Sequence, residues 1–195
     1  MIPLAIFEAV SLGIIMLCVL VIFVAIFINF ISRNMQKVKS EKRSIVETGT
    51  MTLFFLIFYL VIRFKFGVIG LNNLSARIAL IILGLLIIII GCIVNVKGRL
   101  ALGRNWANQI KIYANQTFVN EGMYGAVRHP LYASLIWMFY GACLIYLNYT
   151  AFLLNTLIFI PFMYYRAKQE EKLLLKQFKN YKNYVLKVGM FFPKL

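Results

Sequence analysis

Two stretches of this chain, Pro3 to Ile31 and Ala76 to Val96, each contain a single charged residue, Glu8 in the first and Arg77 in the second. As helices rising about 1.5 Å per residue, both are long enough to cross a hydrocarbon layer about 30 Å thick. With 62% hydrophobic and 14% charged residues, the chain is too apolar for an ordinary soluble domain. The first stretch lacks a basic leader and is longer than the apolar region of a signal peptide. It is therefore expected to stay attached as a spanning helix.

Five apolar segments are predicted, over residues 3–31, 50–69, 76–96, 130–147 and 151–165. In the third, Gly84 and Gly91 lie on one helix face and allow a neighbouring helix to approach closely. Ser75 is expected to cap that segment. A short turn at Asn148 to Thr150 makes the last two segments a helical hairpin. Pro161 is expected to kink the fifth by freeing the carbonyl of Leu157. Beyond it, Leu174, Phe178, Tyr181 and Val185 recur at helical spacing opposite Lys172, Lys176, Lys179 and Lys182, with Gly189 as the stop. The predicted fold is all-α: a polytopic membrane protein with five transmembrane helices and a C-terminal amphipathic interfacial helix, forming one integral membrane domain over residues 1–195.

The basic residues orient these segments, because lysine and arginine near helix ends stay on the cytoplasmic side. Eighteen fall in the connections 32–49 and 97–128 and in the C-terminal region 166–195, against three in the remaining connections. This places the N-terminus outside, the C-terminus in the cytoplasm and the polar stretch at residues 122–132 on the cytoplasmic side. The net charge of +15 follows from the same bias and from attraction to anionic headgroups. No nucleic-acid module is present. Cys18, Cys92 and Cys143 lie far apart in apolar segments, and with one histidine and no aspartate no metal site is expected.

The chemistry-bearing stretch is Gly-Met-Tyr-Gly-Ala-Val-Arg-His-Pro-Leu-Tyr, residues 122–132, which holds the sole histidine. Pro130 is suited to the first position of a helix, where a missing N–H is not needed. Arg128 and His129 then stand at the mouth of that helix. The preceding loop carries Trp106, Asn108, Gln109, Asn115, Gln116, Thr117 and Glu121, and reads equally well as solvated surface or as the wall of a ligand pocket. At the far end of the hairpin, Arg166 and Glu170 share a helix face. An exposed pair of this kind contributes only about 0.3–0.5 kcal/mol. Yet the chain has just six acidic residues, and Glu170 and Glu171 are two of them.

The pattern Gly122-Met-Tyr124, Arg128-His-Pro-Leu-Tyr132, a helical hairpin and then Arg166 with Glu170-Glu171 resembles the isoprenylcysteine carboxyl methyltransferase family. Phospholipid N-methyltransferases share the same core. The likeness covers a methyltransferase core at about residues 100–195, and the size and layout are similar to those of small prokaryotic members. It implies S-adenosylmethionine as cofactor, with contacts at Gln109, Gln116, Thr117, Phe118, Val119, Tyr124, His129, Pro130, Leu131, Tyr132 and Glu170. It also implies catalytic roles for Arg166 and Glu170, with Arg166 binding the substrate carboxylate. Ser134 departs from the family, which often has glycine there.

On this reading the acceptor is a lipid-like small molecule that arrives through the bilayer, and the favoured reaction is carboxyl methylation. Phosphatidylethanolamine N-methylation is the alternative. Membrane sterol reductases using a nicotinamide cofactor carry a related motif, but with asparagine near the histidine where this chain has Pro130. A non-enzymatic scaffold or small transporter would leave the polar motifs at both ends of the hairpin unexplained.

Overall fold

The computed structural model describes residues 4–33, 38–42, 45–105, 110–113 and 117–194. Its helices are α1 (Leu4–Arg33), α2 (Ile45–Arg63), α3 (Leu74–Leu102), α4 (Met123–Ala126), α5 (Pro130–Tyr146), α6 (Tyr149–Leu154), α7 (Ile160–Gln177) and α8 (Tyr181–Lys187). Among the described residues the fold is thus mainly helical. Strands β1 (Val38–Lys42) and β2 (Ile110–Tyr113) form an antiparallel ribbon joining the connections after α1 and α3.

The α3–α5 pair is the spine, and glycines spaced seven apart bring the two helices together. A Cβ on Gly84 would lie 2.5 Å from the carbonyl oxygen of Gly141, and one on Gly91 would lie 2.5 Å from Met138 Cγ. Gly98 extends the same stripe, since its Cβ would sit 3.0 Å from Leu131 Cδ2. The packing role expected of Gly84 and Gly91 is therefore seen, and a third glycine shares it.

On one side of the spine, Cys18 and Ile22 of α1 pack on Ile88 and Cys92 of α3. On another, Phe54 and Phe58 of α2 meet Phe139 and Phe159, with Phe54 and Phe159 stacked at 4.5 Å. Stacked and edge-on aromatic rings of this kind add roughly 0.5–1.5 kcal/mol per pair beyond their area.

Among the described residues, two helical stretches are long and apolar enough to cross a membrane, Leu4–Asn29 and Leu74–Leu102, and Gly49–Arg63 and Pro130–Tyr146 are apolar but shorter. Only 22% and 33% of the two long apolar windows is buried, so these are not helices sealed inside a soluble core. Their outward faces, with Phe23, Phe27, Leu86 and Ile90 exposed, need hydrocarbon around them.

Four local expectations change. Asn73, not Ser75, caps α3: its side chain accepts from the Ala76 amide at 3.0 Å, because the helix already begins at Leu74. α3 continues six residues past Val96, to Leu102. The irregularity expected at Pro161 is a π turn over Asn155–Phe159, immediately before it, closed by Ile160 N–H donating to the Asn155 carbonyl. Finally, the expected C-terminal amphipathic helix is broken. α7 ends at Gln177, Phe178 is extended, and α8 is a separate short helix whose Tyr181 and Tyr184 are buried. Gly189 lies beyond its end and pairs with Val127.

Candidate active site

Pro130 opens α5 as its first residue, which leaves His129 as the N-cap with non-helical backbone. The imidazole is buried and stacks on the ring of Tyr132, one turn into the helix, at 5.6 Å. Two carboxylates from α7 reach it from opposite ring nitrogens. Glu170 Oε2 lies 3.5 Å from Nδ1, and Glu171 Oε1 lies 3.3 Å from Nε2. The Tyr132 hydroxyl donates to the other oxygen of Glu170. Both ends of the hairpin thus meet in one cluster.

The electrostatics are those of an anionic pole clamped around one ring. Burial pushes His129 down, but the hydrogen bonds and charges of Glu170 and Glu171 outweigh it and raise its pKa above the ordinary 6.5. For Glu171, burial works upward, and His129 with Arg128 prevails, holding it below 4.5. Glu170 keeps 29% of its side chain exposed, so it is the acid of the pair that a ligand can touch.

Arg166 lies one turn before Glu170 on α7 and is buried. Its guanidinium carbon stands 5.9 Å from the centre of the Tyr132 ring, close enough for cation–π attraction. Its Nη1 is 3.7 Å from the sulfur of Met51 on α2. The cation therefore sits where the polar cluster meets the aromatic packing of α2, α5 and α7.

Tyr124 on α4 is buried, and its carbonyl accepts from the Tyr184 hydroxyl. Burial first, then the charge of Glu170, pushes its phenol well above 10. The Tyr184 phenol is likewise pushed up, to about 12, chiefly by burial. Phe118 is held among Phe178, Tyr181 and Tyr184, with the last ring at 5.1 Å. Thr117 is exposed and is tied to the Asn105 side chain through its amide and hydroxyl. Val119 is half-buried, and Pro130 and Leu131 form the first turn of α5. Gln109 and Gln116 lie outside the described residues.

Two further groups complete the site. Arg128, which the sequence places with His129 at the helix mouth as part of the motif, donates from Nε to Glu171 Oε1 at 2.7 Å, so this oxygen serves both it and His129. The signal for Glu171 was present, because it adjoins Glu170 in a chain poor in acids. The second group starts from Arg99 of α3, buried beside Tyr124 and Tyr132. Its Nε donates to Asn95 at 2.8 Å, and Asn95 donates to Ser134 Oγ at 2.8 Å. Ser134 in turn donates to the Leu131 carbonyl. The residue that departs from the family pattern thus anchors a polar link between α3 and α5. Asn95 and Arg99 are four apart, so they share a helix face, and that spacing was the available signal.

Residues 82–176 match the profile of the isoprenylcysteine carboxyl methyltransferase family. Among solved structures, the chain is similar to a eukaryotic intramembrane Ras methyltransferase, isoprenylcysteine carboxyl methyltransferase, determined without a monobody. The likeness has a TM-score of 0.57 and 25% sequence identity, and covers 78% of this chain and 53% of that one. The chain therefore spans about half the length of that relative. No curated protein sequence matches it. The matched segment contains the Gly84–Gly98 stripe of α3, the His129 cluster and Arg166, and it is through these residues that the chain is similar to the isoprenylcysteine carboxyl methyltransferase family.

Proposed function

We propose that this protein is an integral membrane S-adenosylmethionine-dependent methyltransferase that esterifies the carboxylate of an isoprenylcysteine-like lipid. The observation that carries the reading is the position of Arg166, a buried cation with the Tyr132–Glu170–His129 cluster on one side and the Met51–Phe54 aromatic packing on the other. A lipid acid needs that combination. Its anion must be met by a cation once it leaves water, while its tail stays among apolar side chains.

The residues present fit the cofactor. When bound, S-adenosylmethionine supplies an electrophilic methyl group on a sulfonium. Glu170, partly exposed and fixed by Tyr132, suits its ammonium or ribose hydroxyls. The first-turn amides of α5 at Leu131 and Tyr132, left without intrahelical acceptors, suit a carboxylate. The faces of Tyr124 and Tyr132 suit the purine and the sulfonium charge. Gln109, Gln116, Thr117, Phe118 and Val119 belong to the connection that would wall the same site.

A carboxylate is already ionised at neutral pH, so this chain needs no general base. Arg166 would fix the acceptor by a two-pronged contact, and Glu170 would fix the other reactant. Such positioning, in a site shielded from water, can contribute roughly 7–11 kcal/mol in favourable cases. In this proposal α1, α2, α3, α5 and the α6–α7 rod are the five membrane-spanning elements, and the Lys-rich α7–α8 region lies at the cytoplasmic interface. The N-terminus is then outside and the site faces the cytoplasm. The excess of basic residues in the connections on that side supports this orientation.

The test is methyl transfer from labelled S-adenosylmethionine by the purified protein to prenylcysteines, phosphatidylethanolamine and sterols. Transfer to the prenylcysteine is expected. Arg166→Ala should abolish most of that turnover with little change in S-adenosylhomocysteine affinity, and Arg166→Lys should restore only part because the fork is lost. Transfer to phosphatidylethanolamine that survives Arg166→Ala would overturn the carboxylate reading.

A further inference from the structure

The segment that follows α8 folds back onto the mouth of α5. The Arg128 amide donates to the Gly189 carbonyl at 2.8 Å and the His129 amide to the Met190 carbonyl at 3.1 Å, and Val127 and Gly189 pair in parallel. The Arg128 side chain grips the last turn of α8 and the start of this segment. Its Nη1 donates to the carbonyls of Val185, at 3.3 Å, and Val188, while its Nε holds Glu171. Phe191 then packs edge-on against the His129 ring at 6.2 Å. A guanidinium with only 8% of its side chain exposed is thus spent on three acceptors from two elements, none of them solvent.

We propose that Arg128 is a positioning residue that couples the docked segment Val185–Phe191 to His129 through the one Glu171 oxygen the two side chains share. Arg128 touches no reacting group. It acts by holding Glu171, and Glu171 holds the imidazole from the side opposite Glu170. With the segment docked, Glu171 is pinned and His129 faces both carboxylates. With it undocked, Arg128 loses two acceptors, Glu171 can turn toward Lys168, whose Nζ is 3.7 Å from its other oxygen, and His129 loses one of its two acids. The groups facing His129 are Glu170 and Glu171 from α7, Tyr132 from α5, Phe191 from the segment, and Arg128 beside it. The functional meaning of this coupling rests on the proposed methyltransferase site, but the coupling itself does not.

Because the chain has one histidine, carbon-13 labelling at imidazole Cε1 gives a single resonance that can be titrated in the cofactor-free, full-length protein in detergent. Glu171→Gln should lower the midpoint of that titration. Arg128→Ala and Gly189→Ala should each move the resonance and its midpoint, and the double variant should move them no further than the larger single effect. Gly189→Ala alters the segment alone, because a Cβ there would collide with the Phe192 carbonyl, so it remains informative if Arg128→Ala fails to fold. An imidazole titration unchanged by Gly189→Ala, or effects of Arg128→Ala and Gly189→Ala that add, would overturn the proposal. Failure of methyl transfer to every acceptor, with this coupling intact, would overturn the proposed function and leave Arg128 in its role.

Discussion

Tyr132 and Glu170, 38 residues apart on antiparallel helices, are joined by the phenol donating to the carboxylate. This bond fixes the orientation of the one carboxylate in the cluster that is open enough to meet a ligand. Hydrogen bonds to a charged group contribute about 1.5–3 kcal/mol. Glu170→Gln is therefore expected to weaken S-adenosylhomocysteine binding by about 10- to 100-fold. Tyr132→Phe should weaken it less, since the ring stays. Calorimetry on both variants checks this, and unchanged binding in both would remove Glu170 from the site.

Stability should depend on pH through His129 and Glu171. His129 has a raised folded-state pKa, so its contribution is complete below 6.5 and is lost as pH rises through the folded value. Glu171 has a lowered one, so its contribution is complete above 4.5 and is lost as pH falls through the folded value. Thermal unfolding in detergent should show greatest stability between 4.5 and 6.5, with a decline on the alkaline side. An alkaline decline of the same size in His129→Gln would assign it to another group.

The α3–α5 spine gives a packing prediction. Gly84→Ala places a methyl 2.5 Å from a backbone oxygen of α5 and 2.7 Å from Ile145, so the helices must separate. Overpacking of this kind costs about 1–3 kcal/mol. Gly13→Ala in α1 meets nothing within 4 Å and is the matched control. Equal unfolding temperatures for the two variants would show that the helices do not touch at Gly84.

Orientation can be read by labelling single cysteines in sealed vesicles. Tyr149→Cys, at the exposed first residue of α6, should react only from outside, and Lys182→Cys only from the cytoplasmic side. Reaction of both from the same side would mean that the α5–α7 hairpin dips into the membrane and returns.

The site was legible in the sequence to the extent that it depends on local rules. Pro130 after a polar loop and before an apolar run favours the first position of a helix, and glycines seven apart on a helix share a face, so His129 at a helix mouth and a close α3 contact followed directly. Residues whose roles depend on distant backbone were not legible. Gly189 reads as a helix stop until Val127 is seen beside it, and Arg128 reads as a charge at the mouth of α5 until the Val185 and Val188 carbonyls converge on it. The break at Phe178 escaped for a related reason. Periodicity continues through it, but Tyr181 and Tyr184 are drawn inward by Phe118, a partner from another part of the chain. Asn73 prevailed over Ser75 because a cap is chosen by where the first turn closes.

The π turn at Asn155–Phe159 has a geometric consequence for everything that follows it. A turn closed from residue 160 back to residue 155 contains one residue more than an α turn, and one residue corresponds to about 100° of rotation around a helix. The surplus residue therefore works as an angular offset between the apolar half of the rod and its polar end. Asn155 anchors the upstream side by donating to the Ile136 carbonyl at 3.1 Å, so the rotation is delivered downstream, to α7. Without the offset, the same sequence from Arg166 to Glu171 would turn about a quarter of the way around the axis, away from Tyr132 and His129. The aim of the polar cluster is set by the winding of the backbone about two helical turns before its first charged residue.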